Sequence, residues 1–148
     1  MGLLVMESGI VVGPFSLESE SQRFTRLFLD ATLRLRPVVP KLSTVRSVSL
    51  GRGRSETMVG LTTYRPSTGL PGSAPSQSLS FYSQLIDGLS DPAASAVIAH
   101  ELAHAWLNEH ESPEESVERE HEADALARRW GFGPELEALD AEAETVGR

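Results

Sequence analysis

Apolar residues at Phe24, Leu27, Phe28, Ala31 and Leu35 recur at helical spacing behind a Ser19–Gln22 capping box. They predict a first helix over about residues 20–36, ended by Pro37 and Pro40. The pattern then shortens to that of strands, over residues 45–50, 57–64 and 78–82, with the turn Gly51-Arg52-Gly53-Arg54 before the second. Residues 65–77, rich in Pro, Gly and Ser, predict a long loop between the last two strands. Asp91-Pro92 then reads as an N-cap with proline at the first helical position, opening a helix that reaches about residue 108. Ser112-Pro113-Glu114-Glu115 repeats the device, and this next helix continues to Trp130, where Gly131 stops it. Residues 1–15 read as an irregular or strand-like lead-in, and 134–148 as an acidic, Ala-rich tail with room for one more short helix. The expectation is one α+β domain over residues 1–148: an N-terminal helix, about three strands, and two later helices.

Composition narrows the chemistry. A chain of 148 residues, 40% apolar and 23% charged, can bury a sizeable core and has the make-up of an ordinary globular protein. It has no cysteine, so any metal must be held by histidine and carboxylate. The absence of disulfides fits a cytoplasmic location. No apolar run approaches the roughly 20 residues that cross a bilayer, and the start carries Glu7 without a basic segment, unlike a signal peptide. A net charge of -8 disfavours nucleic acid as a partner, since phosphate contacts need clustered Lys and Arg.

The candidate chemistry centres on His100-Glu101-Leu102-Ala103-His104. Two histidines four apart on a helix lie one turn above the other, so both rings can reach one ion. Glu101 sits at the edge of that face, placed to take a proton from a water on the metal. A catalytic zinc needs a third protein ligand and one open position. His110 completes the 0, 4, 10 spacing of the metzincins, but that family breaks the helix with a glycine where this chain has Leu107. The family's methionine turn also has no counterpart, because the methionines here are Met1, Met6 and Met58. Carboxylates on the following helix fit better. At about 100° per residue, Glu120 and Asp124 share one face beside the arc of Ala123, Leu126, Ala127 and Trp130, whereas Glu118 and Glu122 point away. A carboxylate beside an apolar arc is costly unless paired or metal-bound. Glu120 is therefore the expected third ligand, with Asp124 one turn on to fix the tautomer of a ligand histidine. His121 lies about a quarter-turn off and reads as a surface residue.

These motifs resemble the gluzincins, in which HExxH is followed by a glutamate-bearing helix. Glu120-His121-Glu122-Ala123-Asp124 is similar to the ExxAD or ExxAN element of HtpX-type and ImmA-type peptidases. Leu79-Ser80-Phe81-Tyr82, the stretch Leu85 to Ser90 and Val97-Ile98-Ala99 resemble the strand, linker and active-site helix of the HtpX group. The likeness spans about residues 57–133. It implies a small zincin-like domain with zinc on His100, His104 and Glu120, Glu101 as general base and acid, and Asp124 supporting a ligand. It also implies that strand 57–64, around Val59, Gly60 and Leu61, receives an extended peptide by strand addition. HtpX-type enzymes carry membrane helices and this chain has none, while its short link between the two helices is closer to the stand-alone minigluzincins. The group that polarises the substrate carbonyl is not assigned: Tyr64 and Tyr82 are candidates, but a tyrosine in a strand is more often packing.

The function expected on this reading is hydrolysis of peptide bonds in a peptide or protein substrate. The same site would serve ester or amide hydrolysis of a small molecule. The alternative is a regulatory, partner-binding module with weak or latent activity. A purely structural metal is a third class, but it usually takes four protein ligands, and would need His121 or His110 to join.

Overall fold

The computed structural model describes residues 3–6, 9–12, 15–51, 60–70 and 74–145. Its chain order is β1 (Leu3–Met6), β2 (Gly9–Val12), β3 (Phe15–Glu18), α1 (Gln22–Arg34), β4 (Val45–Gly51), β5 (Gly60–Arg65), β6 (Ser76–Tyr82), α2 (Ser83–Ile86), α3 (Asp91–His110), α4 (Val117–Ala127) and α5 (Gly133–Thr145). A one-turn 3-10 segment, Val39–Lys41, links α1 to β4, and a π turn, Arg128–Phe132, links α4 to α5. The α+β class expected from the sequence is the class observed.

The sheet is wider than the three strands expected: six strands in the order β1-β2-β3-β4-β6-β5. The lead-in folds into the antiparallel β1-β2-β3 meander, which joins β4 in parallel. Strands of four residues are too short to show much alternation, which is why this region carried only a weak strand signal. β4 and β6 are also parallel, and β5 returns antiparallel to β6 as the edge strand. Residues 57–59 of the expected strand, Val59 among them, and most of the turn at 51–54 lie outside the described residues. The expected loop is shortened at both ends, because Arg65 belongs to β5 and Ser76 and Gln77 to β6. Gln77 is buried there, its amide donating to Thr44 Oγ1 and the Ala105 carbonyl, both at 2.9 Å.

Helix starts follow whichever hydroxyl can reach a free N–H. Ser21, rather than Ser19, caps α1 by accepting from Phe24 N at 3.1 Å. Ser90, rather than Asp91, caps α3. Asp91 instead stands in the first turn of α3 and pairs with Arg23 and Arg26 of α1. Ser116, rather than Ser112, caps α4. The intervening segment stays non-helical so that Arg119, only 3% exposed, can donate back to the Ser112 carbonyl and pair with Glu114.

α3 organises the core. It is buried on nearly every side, through Ala94, Ala96, Ile98, Ala99, Leu102 and Ala105 among others. A helix apolar all round is one enclosed by other elements, and here the sheet, α1, α4 and α5 surround it. Phe24 of α1 meets Phe81 of β6 with ring centroids 5.1 Å apart. The expected short tail helix is the 13-residue α5, packed along α3, and Glu142 on it accepts from both the backbone N–H and the hydroxyl of Ser90. No helix among the described residues is long and apolar enough to cross a membrane.

Candidate metal centre

Helical spacing sets His100 and His104 on the face of α3 that meets α4. α4 comes close because its contact residues are small: Ala123 is fully buried against a cluster of Ala103, Leu107 and Leu126. That approach delivers Glu120 and Asp124 to the histidines. Glu120 Oε2 lies 2.7 Å from His100 Nε2 and 2.9 Å from His104 Nε2, and the two Nε2 atoms are 3.0 Å apart. The rings stand edge to face with centroids at 4.6 Å. On its other side His100 donates its Nδ1 proton to Asp124 Oδ1 at 2.7 Å. All four residues singled out by the face arithmetic therefore meet in one place.

Glu101 faces elsewhere from the ring pair but stays beside it. It is buried, 7% exposed, and its carboxylate lies against β5, where the Thr62 hydroxyl donates to Oε1 at 2.8 Å. His100, Glu101 and His104 each offer a ligand atom within 4.8 Å of the others and could hold a metal ion. Burial pushes the Glu101 carboxyl above its usual range, against the pull of His100 and His104. For His100, burial opposes the charged ring, but the hydrogen bonds to Asp124 and Glu120 outweigh it and its pKa is pushed up to about 10. The hydrogen bond from His100 in turn holds Glu120 down at about 2, with that from His104 adding to it and burial working the other way.

The donor set suits a divalent ion of zinc's preferences. Two imidazole nitrogens and one carboxylate oxygen converge, and the Glu120 side chain that supplies the oxygen is 59% exposed. Tetrahedral ligands at about 2.0–2.1 Å from zinc stand roughly 3.3 Å apart, so the observed triangle need only open slightly to admit one. The carboxylate on His100 Nδ1 is the outer partner that metal-binding histidines usually carry.

The other candidates are placed away from this cluster. His110 has Nε2 2.9 Å from the Lys41 carbonyl and its ring tilted against Trp106, with centroids 3.9 Å apart. His121 is exposed on α4 and joins no metal-binding group among the described residues. Tyr64 lies on β5, two residues from Thr62 and so on the same face of the strand, and Tyr82 closes β6. Gly60 and Leu61 begin the described part of β5, whose partner among the described residues is β6 alone. Thr62 was not picked out from the sequence. Alternation places it on one face with Gly60, but nothing local says that this face meets Glu101. Comparison with protein-family models, with curated proteins and with solved structures gave no match.

Proposed function

We propose that the chain is a zinc-dependent metallopeptidase of the gluzincin kind, with His100, His104 and Glu120 holding the ion and Glu101 acting as general base and acid. The observation that carries this reading is the convergence of two imidazole nitrogens and the Glu120 oxygen on one point, with a buried carboxylate beside them. When bound, zinc would supply Lewis acidity toward a carbonyl and toward water. Glu101 takes a proton from the attacking water and passes it to the leaving amine nitrogen. Its burial supports that shuttle, because a carboxyl with a raised pKa gives up and regains a proton closer to neutrality. Asp124, by accepting from Nδ1, holds the His100 ring in the tautomer that would leave Nε2 free to take an ion.

Among the described residues the edge strand β5 pairs with β6 alone and lies beside Glu101, and a peptide laid along its other edge would be held by main-chain hydrogen bonds near Gly60 and Leu61. The proposed substrate is therefore an extended peptide or an unfolded protein segment, with nucleic acid and membrane outside the reading.

The test uses the full chain, loaded with zinc, and dye-labelled casein. Wild type is expected to bind about one zinc per chain and to cleave casein. Alanine at His100, His104 or Glu120 should lose the metal. Glu101→Gln should keep it yet lose at least about a hundredfold in turnover, since the amide cannot act as the base. Full zinc retention in Glu120→Ala would remove Glu120 from the site. A wild type that cleaves nothing while it and Glu101→Gln bind a protein partner equally would replace the peptidase with the partner-binding module.

A further inference from the structure

A general base must present a particular oxygen to water, and a glutamate side chain has three torsions over which to wander. Inside this protein the freedom is removed by a residue from a different element. Thr62 sits on the edge strand β5, on the face turned toward α3, and its hydroxyl donates to Glu101 Oε1 at 2.8 Å. The same Oγ1 lies 3.2 Å from the Glu101 main-chain carbonyl. One threonine hydroxyl is thus seated against both the carboxylate and the helix backbone that carries it.

We infer that Thr62 is the positioning residue of the base: it fixes one carboxylate oxygen of Glu101 and leaves the other to meet water on the histidine side. The kinetic part of this inference rests on the proposed peptidase. Its hydroxyl contacts are with Glu101 and not with His100, His104 or Glu120, the residues proposed to hold the ion. Because β5 is also the edge proposed to take the peptide, Thr62 joins the substrate-binding strand to the base through one hydrogen bond. A peptide that seats β5 firmly also seats Glu101.

Two substitutions separate orientation from packing. Thr62→Val keeps shape and volume but deletes the donor, whereas Thr62→Ser keeps the donor and deletes the methyl. With zinc-loaded full-length proteins and a quenched fluorescent peptide derived from casein, Thr62→Val is expected to keep its zinc and its KM within about twofold. Its kcat should fall on the order of a hundredfold, the scale of a misplaced reacting group. Thr62→Ser should recover most of the loss. Equal kcat in Thr62→Val and wild type overturns the inference, as does a serine variant no better than valine. A second measurement stands apart from activity: crystal structures of the zinc-loaded wild type and Thr62→Val. The Glu101 carboxylate should turn away from its place in the variant, and an unmoved carboxylate refutes the positioning role. If wild type hydrolyses nothing, the peptidase reading fails and the pair of crystal structures alone decides for or against Thr62.

Discussion

Asp124 shows how much one side chain outside the ligand triangle contributes. Its contact with His100 Nδ1 fixes which ring nitrogen is free for an ion, and removing it leaves a half-buried N–H to find water. Asp124→Ala is expected to weaken zinc affinity roughly 10–100-fold, measured by competition with a chromophoric chelator. Alanine favours helix, so α4 itself should persist and circular dichroism should not change. An unaltered affinity would mean that His100 needs no such support. Most of this site was legible in the sequence because its geometry is helical and short in range. The i, i+4 spacing of His100 and His104, and the i, i+4 spacing of Glu120 and Asp124, each follow from one helix. That the two helices meet follows from the alanines between them. Thr62 was not legible, because its partner is 39 residues away and the offset of a strand against a helix is written in no local pattern.

At the level of elements, the long periodic segments were read well and their ends less well. The apolar rows of α1 and α3 follow packing that only a helix can supply, but serines compete for each cap: Ser19 with Ser21, Ser112 with Ser116, and Ser90 with Asp91. Tertiary partners decide between them, as Arg119 does for α4. The strands β1 to β3 were only hinted at, being four residues each. Gly131 was rightly read as a stop, yet the chain turns there only to continue as α5. Its φ of 99° is open to glycine and strained for other residues. Arg34 fastens the turn by donating to the Gly131 carbonyl at 2.7 Å, pairing with Glu135 at 2.8 Å and lying over the Phe132 ring at 3.7 Å. Gly131→Ala is expected to cost about 1–2 kcal/mol in urea unfolding. Zinc content should not change, since every proposed ligand precedes the turn. A variant as stable as wild type would show that the turn can relax.

Across the whole molecule, apolar burial is divided unequally. One large cluster joins the sheet, α1, α3 and α5 and takes in only Ala127 at the end of α4, while Ala103, Leu107, Ala123 and Leu126 form a second, much smaller one between α3 and α4. Two of the four buried side chains of the small cluster are alanines, and Trp106 and Trp130 only flank it, so apolar burial alone holds α4 lightly at roughly 25 cal/mol per Å². The ion, tying Glu120 to two residues of α3, would be the stronger clasp. Free energy of opening then becomes a local property. With zinc stripped by a chelator, α4 should exchange its amide protons with solvent well before the sheet and α3 do, in a unit of its own. Hydrogen–deuterium exchange read by mass spectrometry checks this. Uniform loss of protection would mean a single cooperative unit. No change in α4 would mean that packing suffices. On the expected outcome the metal-free chain is a folded protein with one loose helix, and that helix carries the third proposed ligand. Metal capture would then be a closing motion, with the two histidines presented on a rigid helix and Glu120 brought to them by α4. Its release would be timed by the opening of α4, so the residence time of the ion would follow the stability of one helix and not that of the whole fold.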